Sequence, residues 1–387
     1  MSLATRIAAG LPRVGVLTVV AVATAAGAPW TARADTPVVE ASAETRALLA
    51  RLGLEESATP VRERKGWSRP RVVLVANAMP EALPALQAVA PGVKLLAADS
   101  AAEAEELASQ ADAVIGFCTP AVMEAGRGIR WVQVMSAGVE DCVAVPAMRS
   151  RDILLTNMQR VAGPVMAEHV LAMMFAFARG LDFYIPERLE RRWTRQLPET
   201  SSMVTLEGKT LLVVGLGGIG SELARRANAL GLQVDAVRAS GRTGPQYVRE
   251  VGLPADLLRL AARADYVVNT APLTAETRGL FDRKFFASMK RSAYFFNVGR
   301  GGSVDQAALI AALKDGQIAG AGLDVTDPEP LPPGSPLWTL PNVILTPHVS
   351  TRSDLGDAAR FEIVRENLRR YVAGEKMLSV VDVARGY

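Results

Sequence analysis

The sequence predicts an α/β protein made of two doubly wound, parallel-sheet (Rossmann-like) domains with a cleft between them. Short apolar segments alternate with helical segments in two successive series, which begin near residues 71 and 209. Buried strands alternating with helices are typical of parallel sheets covered on both faces. The length of 387 residues also favours two domains over one. In such folds, ligands bind beside the carboxyl ends of the strands.

The strands of each series can be placed from their apolar runs. We expect strands of the first series at 71–76, 94–97, 113–117 and 131–135. We expect strands of the second series at 210–214, 233–237, 266–269, 293–298, 319–323 and 343–345. A long helix over 161–179 is apolar nearly all round, which predicts burial between domains or in a subunit interface. The expected organisation is a helical extension and linker at 35–70, a substrate domain at 71–172 plus 349–387, and a dinucleotide-binding domain at 173–348.

The first 34 residues resemble a secretory signal peptide. Arg6 and Arg13 precede an apolar run over 14–28, and residues 32–34 (Ala-Arg-Ala) offer a small-residue cleavage site before Asp35. This order is typical of export, and the apolar run is too short for a stable membrane span. The pattern predicts a periplasmic or otherwise exported protein. A misassigned start codon would instead leave the protein in the cytoplasm, where nicotinamide cofactors are used.

Charge and cysteine content exclude several classes of protein. Lys and Arg number 43 against 40 Asp and Glu, and no basic block with interleaved aromatic residues appears, so nucleic acid is not an expected partner. The two cysteines, Cys118 and Cys142, have neither metal-ligand nor redox-motif spacing. We therefore expect two separate thiols and no metal site, although an exported location would permit a disulfide.

A glycine-rich turn predicts a dinucleotide site. The apolar run at 211–214 leads into Gly215-Leu216-Gly217-Gly218-Ile219-Gly220 and then into a helix. Gly215 allows the tight turn, Gly217 lets a pyrophosphate approach the backbone, and Gly220 lets helix and strand pack closely. The amino end of the helix, with Gly218 and Ile219, supplies donors and partial positive charge for the phosphates.

The end of the next strand indicates which dinucleotide binds. NAD enzymes place an acid at this tip to bind the ribose 2′-hydroxyl. Asp235 falls near the expected offset but in the middle of the strand, whereas Arg238 occupies the tip, with Ser240 and Arg242 beyond it. Because arginine pairs bidentately with phosphate oxygens, these residues favour NADP(H), with NAD(H) still possible. Alternatively, both arginines are solvated loop residues.

The chain has two histidines, His169 and His348. His348 follows the last strand of the second series, at the edge where such folds place chemistry. His169 lies on the apolar helix, where a packed core or interface histidine is expected. Reduction of a 2-oxo acid by hydride needs a proton donor at the carbonyl oxygen and a cation at the carboxylate. Histidine suits the first role near neutral pH and arginine suits the second.

Three ordered motifs resemble those of the D-isomer-specific 2-hydroxyacid dehydrogenases. They are VGRGGSVD at 298–305, GLDVTDPEP at 322–330 and TPH at 346–348. The resemblance, which covers about residues 71–383, implies that Arg300 binds the carboxylate and carbonyl oxygen of the substrate. It implies that His348 is the acid–base group and that Glu329 is its paired carboxylate. It also implies that Asp324 binds the nicotinamide carboxamide.

The same resemblance implies the remaining contacts of the site. The residues expected along the cofactor are Ala271, Pro272 and Thr274, together with Val298 and Gly299. The residues expected to hold the substrate carboxylate through backbone amides are Ser136, Ala137, Gly138 and Val139. The implied protein is a homodimer that acts on small 2-oxo or 2-hydroxy acids. A dinucleotide-sensing regulatory protein on the same fold remains an alternative, because the corepressor branch of the family keeps the same Arg, Glu and His.

Overall fold

The computed structural model describes residues 40–76, 82–198, 203–354 and 356–386. The predicted signal peptide at 1–34 lies outside the described residues. The predicted two-sheet α/β architecture is confirmed, because one sheet has five strands, the other has seven, and every strand pair within them is parallel.

The five-stranded sheet forms from the first series of apolar runs. Its strands are β1 (Val72–Ala76), β2 (Lys94–Ala98), β3 (Ala113–Ile115), β4 (Trp131–Gln133) and β5 (Leu154–Thr156). They lie in the order β2-β1-β3-β4-β5. Strand β5 was not predicted from the sequence. The strand order reverses beside β1, which leaves a crevice at the carboxyl ends of the strands.

The seven-stranded sheet forms from the second series. Its strands are β6 (Thr210–Val214), β7 (Gln233–Val237), β8 (Glu250–Gly252), β9 (Tyr266–Asn269), β10 (Tyr294–Asn297), β11 (Gly320–Leu323) and β12 (Val343–Leu345). They lie in the order β12-β11-β10-β9-β6-β7-β8. The short β8 was not predicted, whereas the other six strands coincide with predicted segments. Because β10, β11 and β12 are neighbours, the loops that follow them meet at one edge of the sheet.

Helices connect and cover the strands. The α-helices among the described residues are α1 (Ala43–Leu52), α2 (Ala82–Val89), α3 (Ala101–Ala108), α4 (Pro120–Ala125), α5 (Glu140–Val143), α6 (Pro146–Ser150), α7 (Gly163–Ala178), α8 (Leu181–Leu189), α9 (Gly218–Ala229), α10 (Leu257–Ala261), α11 (Arg283–Ser288), α12 (Gln306–Lys314) and α13 (Gly356–Ala373). Local sequence sets several of their ends. Ser42 caps α1 by accepting from the Thr45 backbone nitrogen, and Asp305 caps α12 by accepting from that of Ala308.

Buried hydrophobic clusters pack against both sheets and position the site. Against the five-stranded sheet, Tyr371 of α13 stacks on Trp131 of β4 with ring centroids 4.6 Å apart. Against the seven-stranded sheet, Phe177 of α7 packs on Tyr294 with centroids 4.8 Å apart. Helix α7 corresponds to the predicted apolar helix, and most of its residues are buried. None of the helices in the described part of the chain is long and apolar enough to cross a membrane.

The expectation of two separate thiols is wrong. Cys118, in the loop before α4, and Cys142, in α5, form a disulfide with their Cα atoms 5.3 Å apart. Their separation of 24 residues gave no sequence signal, because the pairing depends on how the β3–α4 loop and α5 pack together. The bridge ties α5, which follows the predicted substrate-binding loop, to the carboxyl edge of the five-stranded sheet.

Candidate active site

The glycine-rich turn between β6 and α9 has the geometry of a dinucleotide-phosphate site. Gly215 has φ +100°, a left-handed value that favours glycine. A Cβ on Gly220 would overlap the carbonyl oxygen of Gly215, so this close packing requires glycine. A Cβ on Gly217 would meet no atom within 4 Å. The turn therefore leaves room for a pyrophosphate at the amino end of α9, where Gly218 and Ile219 begin the helix.

Two neighbouring strand ends bring further predicted cofactor residues beside this turn. A Cβ on Gly215 would lie 2.7 Å from the backbone nitrogen of Ala271, which follows β9. A Cβ on Gly299, which follows β10, would lie 2.9 Å from the carbonyl oxygen of Ala271. The carboxyl ends of β6, β9 and β10 thus form one continuous strip, with Val298 buried beneath it.

The loop that carries Pro272 and Thr274 continues the strip and is fixed by its own hydrogen bonds. The hydroxyl of Thr277 donates to the Pro272 carbonyl oxygen at 2.6 Å. The same hydroxyl oxygen accepts from the Thr274 backbone nitrogen at 2.7 Å. These two bonds close the loop on itself, so its backbone has a defined path beside the strand ends.

A buried amide network, which the sequence analysis missed, fixes the strand ends. Asn269 Nδ2 donates to Asn297 Oδ1 at 2.9 Å and to the Ser303 hydroxyl at 2.8 Å. Asn297 Nδ2 donates to the carbonyl oxygen of Arg300 at 3.0 Å. Buried polar groups that are fully hydrogen-bonded make their surroundings rigid. The available signal was an asparagine ending each of two otherwise apolar strands.

The tip of β7 carries the residues predicted to select the dinucleotide. Arg238 Nε donates to the Ser240 hydroxyl at 2.8 Å, so these two side chains lie together at the strand end. Asp235 is fully buried, and its carboxylate accepts from Arg249 at 2.6 and 2.9 Å and from Arg263 at 2.9 Å. Asp235 is therefore committed to structural ion pairs, as its mid-strand position suggested, and is not exposed to a ribose.

Arg242 lies farther along the same loop and is held differently from Arg238. Its Nη1 forms an ion pair with Asp256 Oδ2 at 2.8 Å, and its side chain is more than half exposed. Within the part of the chain that the structure describes, no carboxylate pairs with Arg238, whose side chain donates to the Ser240 hydroxyl and to the Thr243 carbonyl oxygen. Contact of Arg242 with the cofactor stays a prediction that would require the Asp256 pair to open.

His348 and Glu329, the predicted acid–base pair, lie in direct contact. His348 Nδ1 lies 2.8 Å from Glu329 Oε2, and both side chains are partly exposed. Because an ionised carboxylate only accepts hydrogen bonds, Nδ1 is the donor, which leaves Nε2 facing away from Glu329 for proton exchange. The other oxygen of Glu329 accepts from the Thr326 backbone nitrogen at 3.0 Å, so the carboxylate is fixed at both ends.

Asp324 positions the His348 loop. Its side chain is fully covered, and its carboxylate accepts from the Thr346 hydroxyl at 2.6 Å and from the backbone nitrogens of Val349 and Ser350 at 2.9 and 3.1 Å. Burial alone would raise the pKa of Asp324, but these hydrogen bonds bring it below its ordinary value. The expected contact of Asp324 with the nicotinamide carboxamide stays a prediction, because both of its carboxylate oxygens accept hydrogen bonds from the 346–350 segment.

His169 joins the same network from helix α7. Its Nε2 lies 3.0 Å from the Thr346 hydroxyl oxygen. Since the single hydroxyl proton of Thr346 goes to Asp324, His169 Nε2 is the donor to Thr346. The sequence analysis interpreted His169 as a packed histidine, and the structure adds that it supports the loop carrying His348.

Arg300 lies opposite the predicted substrate-binding loop. Its Nη1 donates to the Gly299 carbonyl oxygen at 2.8 Å, and its Nε lies 3.1 Å from Glu140 Oε1. A Cβ on Gly138 would overlap the guanidinium, so the loop approaches Arg300 this closely only with glycine there. Glu140, which the sequence analysis missed, thus pairs with Arg300 across the cleft from a position 160 residues away.

The predicted substrate loop is itself well ordered. The Ser136 hydroxyl donates to the Gly138 carbonyl oxygen at 2.6 Å, and the Ala137 carbonyl oxygen accepts from Asn157 at 2.8 Å. A cavity of about 360 Å³ adjoins this loop. Its lining includes Ser136, Gly138 and Val139, the two acids Glu140 and Asp141, and the Cys118–Cys142 disulfide. The cavity is therefore small, and two acidic side chains line it, one of which pairs with Arg300.

Known proteins share this sequence pattern. The family described as "D-isomer specific 2-hydroxyacid dehydrogenase, NAD binding domain" matches residues 171–350. A glyoxylate reductase/hydroxypyruvate reductase of Mus musculus is 34% identical over 256 residues, which span 66% of this chain and 77% of that protein. A glyoxylate/hydroxypyruvate reductase B of Klebsiella pneumoniae is 35% identical over 264 residues, spanning 67% and 81%. The chain belongs to the D-isomer-specific 2-hydroxyacid dehydrogenase family.

Solved structures of this dehydrogenase family share the fold. A D-isomer-specific 2-hydroxyacid dehydrogenase of Xanthobacter autotrophicus in complex with NADPH and MES is 32% identical, has a TM-score of 0.68 and covers 83% of this chain and all of its own. An NADPH-dependent glyoxylate/hydroxypyruvate reductase of Sinorhizobium meliloti in complex with NADP and sulfate is 29% identical, has a TM-score of 0.69 and covers 82% of this chain and 99% of its own. The dehydrogenase accordingly binds a nicotinamide dinucleotide.

The arrangement supplies what 2-oxo acid reduction requires. Arg300 follows β10, Glu329 follows β11 and His348 follows β12, so a guanidinium and an imidazole–carboxylate pair lie at one edge of the sheet. The glycine-rich turn after β6 lies along the same edge. Among the described residues, no group of three or more His, Cys, Asp or Glu side chains could hold a metal ion. The dehydrogenase interconverts 2-oxo and 2-hydroxy acids with NAD(P)(H).

Proposed function

We propose that this dehydrogenase reduces a short 2-oxo acid of the glyoxylate or hydroxypyruvate type to the D-2-hydroxy acid, with NADPH as the preferred reductant. The observation that carries the proposal is the meeting of Arg300 and the Glu329–His348 pair at adjacent strand ends, opposite the 136–139 loop. Two features support a short substrate. The cavity beside the loop is small, and relatives with 34–35% identity carry the name glyoxylate/hydroxypyruvate reductase.

The proposed reaction adds a hydride to the carbonyl carbon and a proton to the carbonyl oxygen. When bound, the reduced nicotinamide supplies the hydride. Arg300 pairs with the substrate carboxylate through the guanidinium edge that Glu140 does not occupy. His348 holds the transferable proton at Nε2, because Nδ1 donates to Glu329. Glu329 orients the ring by accepting the Nδ1 hydrogen bond, while the Thr326 backbone nitrogen holds its other oxygen.

The preference for NADPH rests on Arg238 and Ser240. A guanidinium and a hydroxyl at the tip of β7 suit the oxygens of a 2′-phosphate, whereas the nearest carboxylate on that strand, Asp235, is buried in ion pairs. Two of the solved structures similar to this chain contain NADPH or NADP. Replacing Arg238 with Gln should therefore weaken NADPH binding by about tenfold or more and leave NADH binding nearly unchanged.

Steady-state kinetics with the protein from Asp35 onward tests the proposal. Oxidation of NADPH and NADH would be followed with glyoxylate, hydroxypyruvate, pyruvate and phenylpyruvate, with His348→Ala as the inactive control. We expect turnover of the short oxo acids, with NADPH preferred. Turnover that prefers NADH would overturn only the proposed role of Arg238 and would leave the proposed reaction intact. Tight dinucleotide binding without turnover of any oxo acid would favour the dinucleotide-sensing alternative.

We also propose that the protein forms a homodimer through an apolar surface on α8. Leu181, Ile185 and Leu189 recur every four residues on one face of this helix and are substantially exposed, and Trp193 just beyond it is 93% exposed. An apolar surface of this kind is typical of protein interfaces. Ile185→Glu should shift the mass measured by light scattering from dimer to monomer, while Glu190→Lys should not. A monomeric wild-type protein would contradict the proposal.

We further propose that the protein is exported and cleaved before Asp35. The Cys118–Cys142 disulfide supports this location, because disulfides persist mainly in oxidising compartments. Mass spectrometry of protein from fractionated cells should find a mature amino terminus at Asp35 and no free thiol. Protein that retains residue 1 and two free thiols in the cytoplasmic fraction would contradict export.

A further inference from the structure

Arg160 has an unusual backbone conformation in the loop between β5 and α7. Its φ is +70°, in the left-handed region that non-glycine residues seldom adopt. A strained residue of this kind persists only when its surroundings hold it, and such residues concentrate at ligand sites. The loop belongs to the five-stranded side of the cleft, three residues before α7 begins at Gly163. Arg160 is therefore held beside the cleft in a backbone conformation that its surroundings must stabilise.

The stem of Arg160 lies directly on the first turn of α9. A Cβ on Gly218 would be 2.8 Å from Arg160 Cγ and 2.9 Å from Arg160 Cα. A Cβ on Gly163 would in turn be 2.9 Å from the Gly218 carbonyl oxygen. Arg160 thus fills the space that a side chain at 218 would occupy. A residue from one side of the cleft covers the phosphate-binding end of the helix on the other side.

The guanidinium of Arg160 is paired with Glu55, which follows α1 in the amino-terminal extension. Glu55 is 74% exposed, while Arg160 is about one-third exposed. Exposed ion pairs contribute little stability, so this pair can open at small cost when a stronger anion is present. A pyrophosphate bound at the amino end of α9 is such an anion, since it carries two negative charges and fits the guanidinium fork.

We propose that Arg160 supplies a guanidinium to the pyrophosphate of the bound dinucleotide and that Glu55 competes with the dinucleotide for it. The glycines at 217 and 218 leave the amino end of α9 without a side chain of its own, and Arg160 provides the missing positive charge from across the cleft. Binding of the cofactor then exchanges an exposed ion pair for a phosphate contact. This inference rests on dinucleotide binding at the Gly215–Gly220 turn and not on the identity of the oxo acid.

The proposed contact differs from that of Arg238 in the part of the dinucleotide it touches. NADH and NADPH share the pyrophosphate, whereas only NADPH carries the 2′-phosphate. A change at Arg160 should therefore alter the dissociation constants of both dinucleotides by the same factor. A change at Arg238 should alter mainly that of NADPH. The ratio of the two dissociation constants separates the two roles without any measurement of turnover.

The test measures dissociation constants of NADPH and NADH by calorimetry for wild type, Arg160→Gly, Glu55→Gln and Arg191→Gly. Glycine tolerates the left-handed backbone, so Arg160→Gly removes the guanidinium without adding strain. Arg191 is the matched control, because it is an exposed arginine with φ +56° just after α8. We expect Arg160→Gly to weaken both dinucleotides about tenfold, the size of one charge-assisted hydrogen bond. Arg191→Gly should change neither.

Glu55→Gln provides the opposite test. Removing the competing carboxylate should tighten both dinucleotides by up to about fivefold, the limit set by an exposed ion pair. Unchanged dissociation constants in Arg160→Gly, or a change confined to NADPH, would overturn the pyrophosphate contact. Weaker binding in Glu55→Gln would overturn the competition, because Glu55 would then hold Arg160 in place. If the wild-type protein bound neither dinucleotide, the cofactor site itself would be overturned. Failure of the Arg160 contact alone would leave binding to the wild-type protein intact, so the two failures are distinguishable.

Discussion

The two sides of the cleft are built in different ways. On the seven-stranded side, the functional residues are held by neighbours from the same edge of the sheet. Asp324 accepts hydrogen bonds from the loop that carries His348, and Asn297 donates one to the carbonyl oxygen of Arg300. On the five-stranded side, the 136–139 loop ends at α5, which the Cys118–Cys142 bridge ties down, and it meets Arg300 across the cleft through Glu140. The seven-stranded side therefore holds the His348 loop and Arg300 in place before substrate binds. The five-stranded side carries the loop that is predicted to bind the substrate.

This difference predicts that mutations on the two sides affect different kinetic constants. Changes at the seven-stranded edge should reduce the rate of the chemical step, because the proton donor and the guanidinium are displaced from the reacting carbonyl. Changes on the five-stranded side should mainly alter substrate affinity, because the loop there is proposed to hold the substrate and carries no group for proton transfer. Arg300→Lys and Glu140→Gln test this comparison through kinetic constants, whereas Asp324→Asn tests through stability the buried carboxylate that supports the His348 loop.

Arg300→Lys should have the largest effect. Lysine keeps the positive charge but loses the planar fork that pairs with a carboxylate and a carbonyl oxygen together. We expect kcat/KM for hydroxypyruvate to fall by about 100-fold, while NADPH affinity stays near that of wild type. Arg283→Lys, an exposed change in α11, is the control and should have no effect. Equal activity of Arg300→Lys and wild type would mean that Arg300 does not bind the substrate carboxylate as proposed.

Asp324→Asn should have an intermediate effect on stability, with a distinctive pH dependence. The pKa of Asp324 in the folded protein lies below its ordinary value, so its carboxylate stabilises the fold above that value and loses this contribution as the pH falls through the folded-state pKa. An amide nitrogen would face the Ser350 backbone donor, which costs about 2 kcal/mol in the free energy of unfolding at neutral pH.

Urea denaturation of wild type and Asp324→Asn at neutral and at acid pH measures this difference. We expect the gap between the two proteins to be widest at neutral pH and to narrow in acid, where Asp324 becomes protonated. Asp315→Asn, at an exposed position after α12, should match wild type at both pH values. A gap that stays constant with pH would show that the charge of Asp324 contributes nothing.

Glu140→Gln should have the smallest effect. The amide keeps the size of the side chain but weakens the pairing that fixes one edge of Arg300. We expect KM for hydroxypyruvate to rise about threefold with little change in kcat, as for a partly exposed ion pair. Glu105→Gln, at an exposed position in α3 away from the cavity, should change neither constant. A lower KM in Glu140→Gln would mean that Glu140 competes with the substrate carboxylate for Arg300.

The sequence predicted the seven-stranded side well, because its functional residues follow strands in compact motifs. Gly215, Arg300 and His348 each lie within a few residues of an apolar run that could be recognised. The same rule identified Arg238 as the residue at the tip of β7, and Asp235 proved to be buried in ion pairs. Periodicity and strand ends are local properties, so a single sequence reveals them.

The contacts that the sequence analysis missed depend on residues far apart in the chain. Glu140 meets Arg300 over a separation of 160 residues, Arg160 lies on Gly218, and Cys118 pairs with Cys142 only because α5 packs beside the preceding loop. None of these residues stands in a spacing that implies its partner. Asn269 and Asn297 were locally visible as polar ends of apolar strands, but their hydrogen bond depends on adjacent strands in the folded sheet.

The role proposed for His348 is to transfer the proton during reduction and not to bind the dinucleotide. The most direct test is a single-turnover experiment in which NADPH-loaded wild type and His348→Asn are mixed with hydroxypyruvate, with NADPH affinity measured on the same samples. We expect the rate of NADPH oxidation to be at least about 100-fold lower in the variant, with NADPH affinity unchanged. An undiminished rate, or a loss explained entirely by weaker NADPH binding, would contradict it.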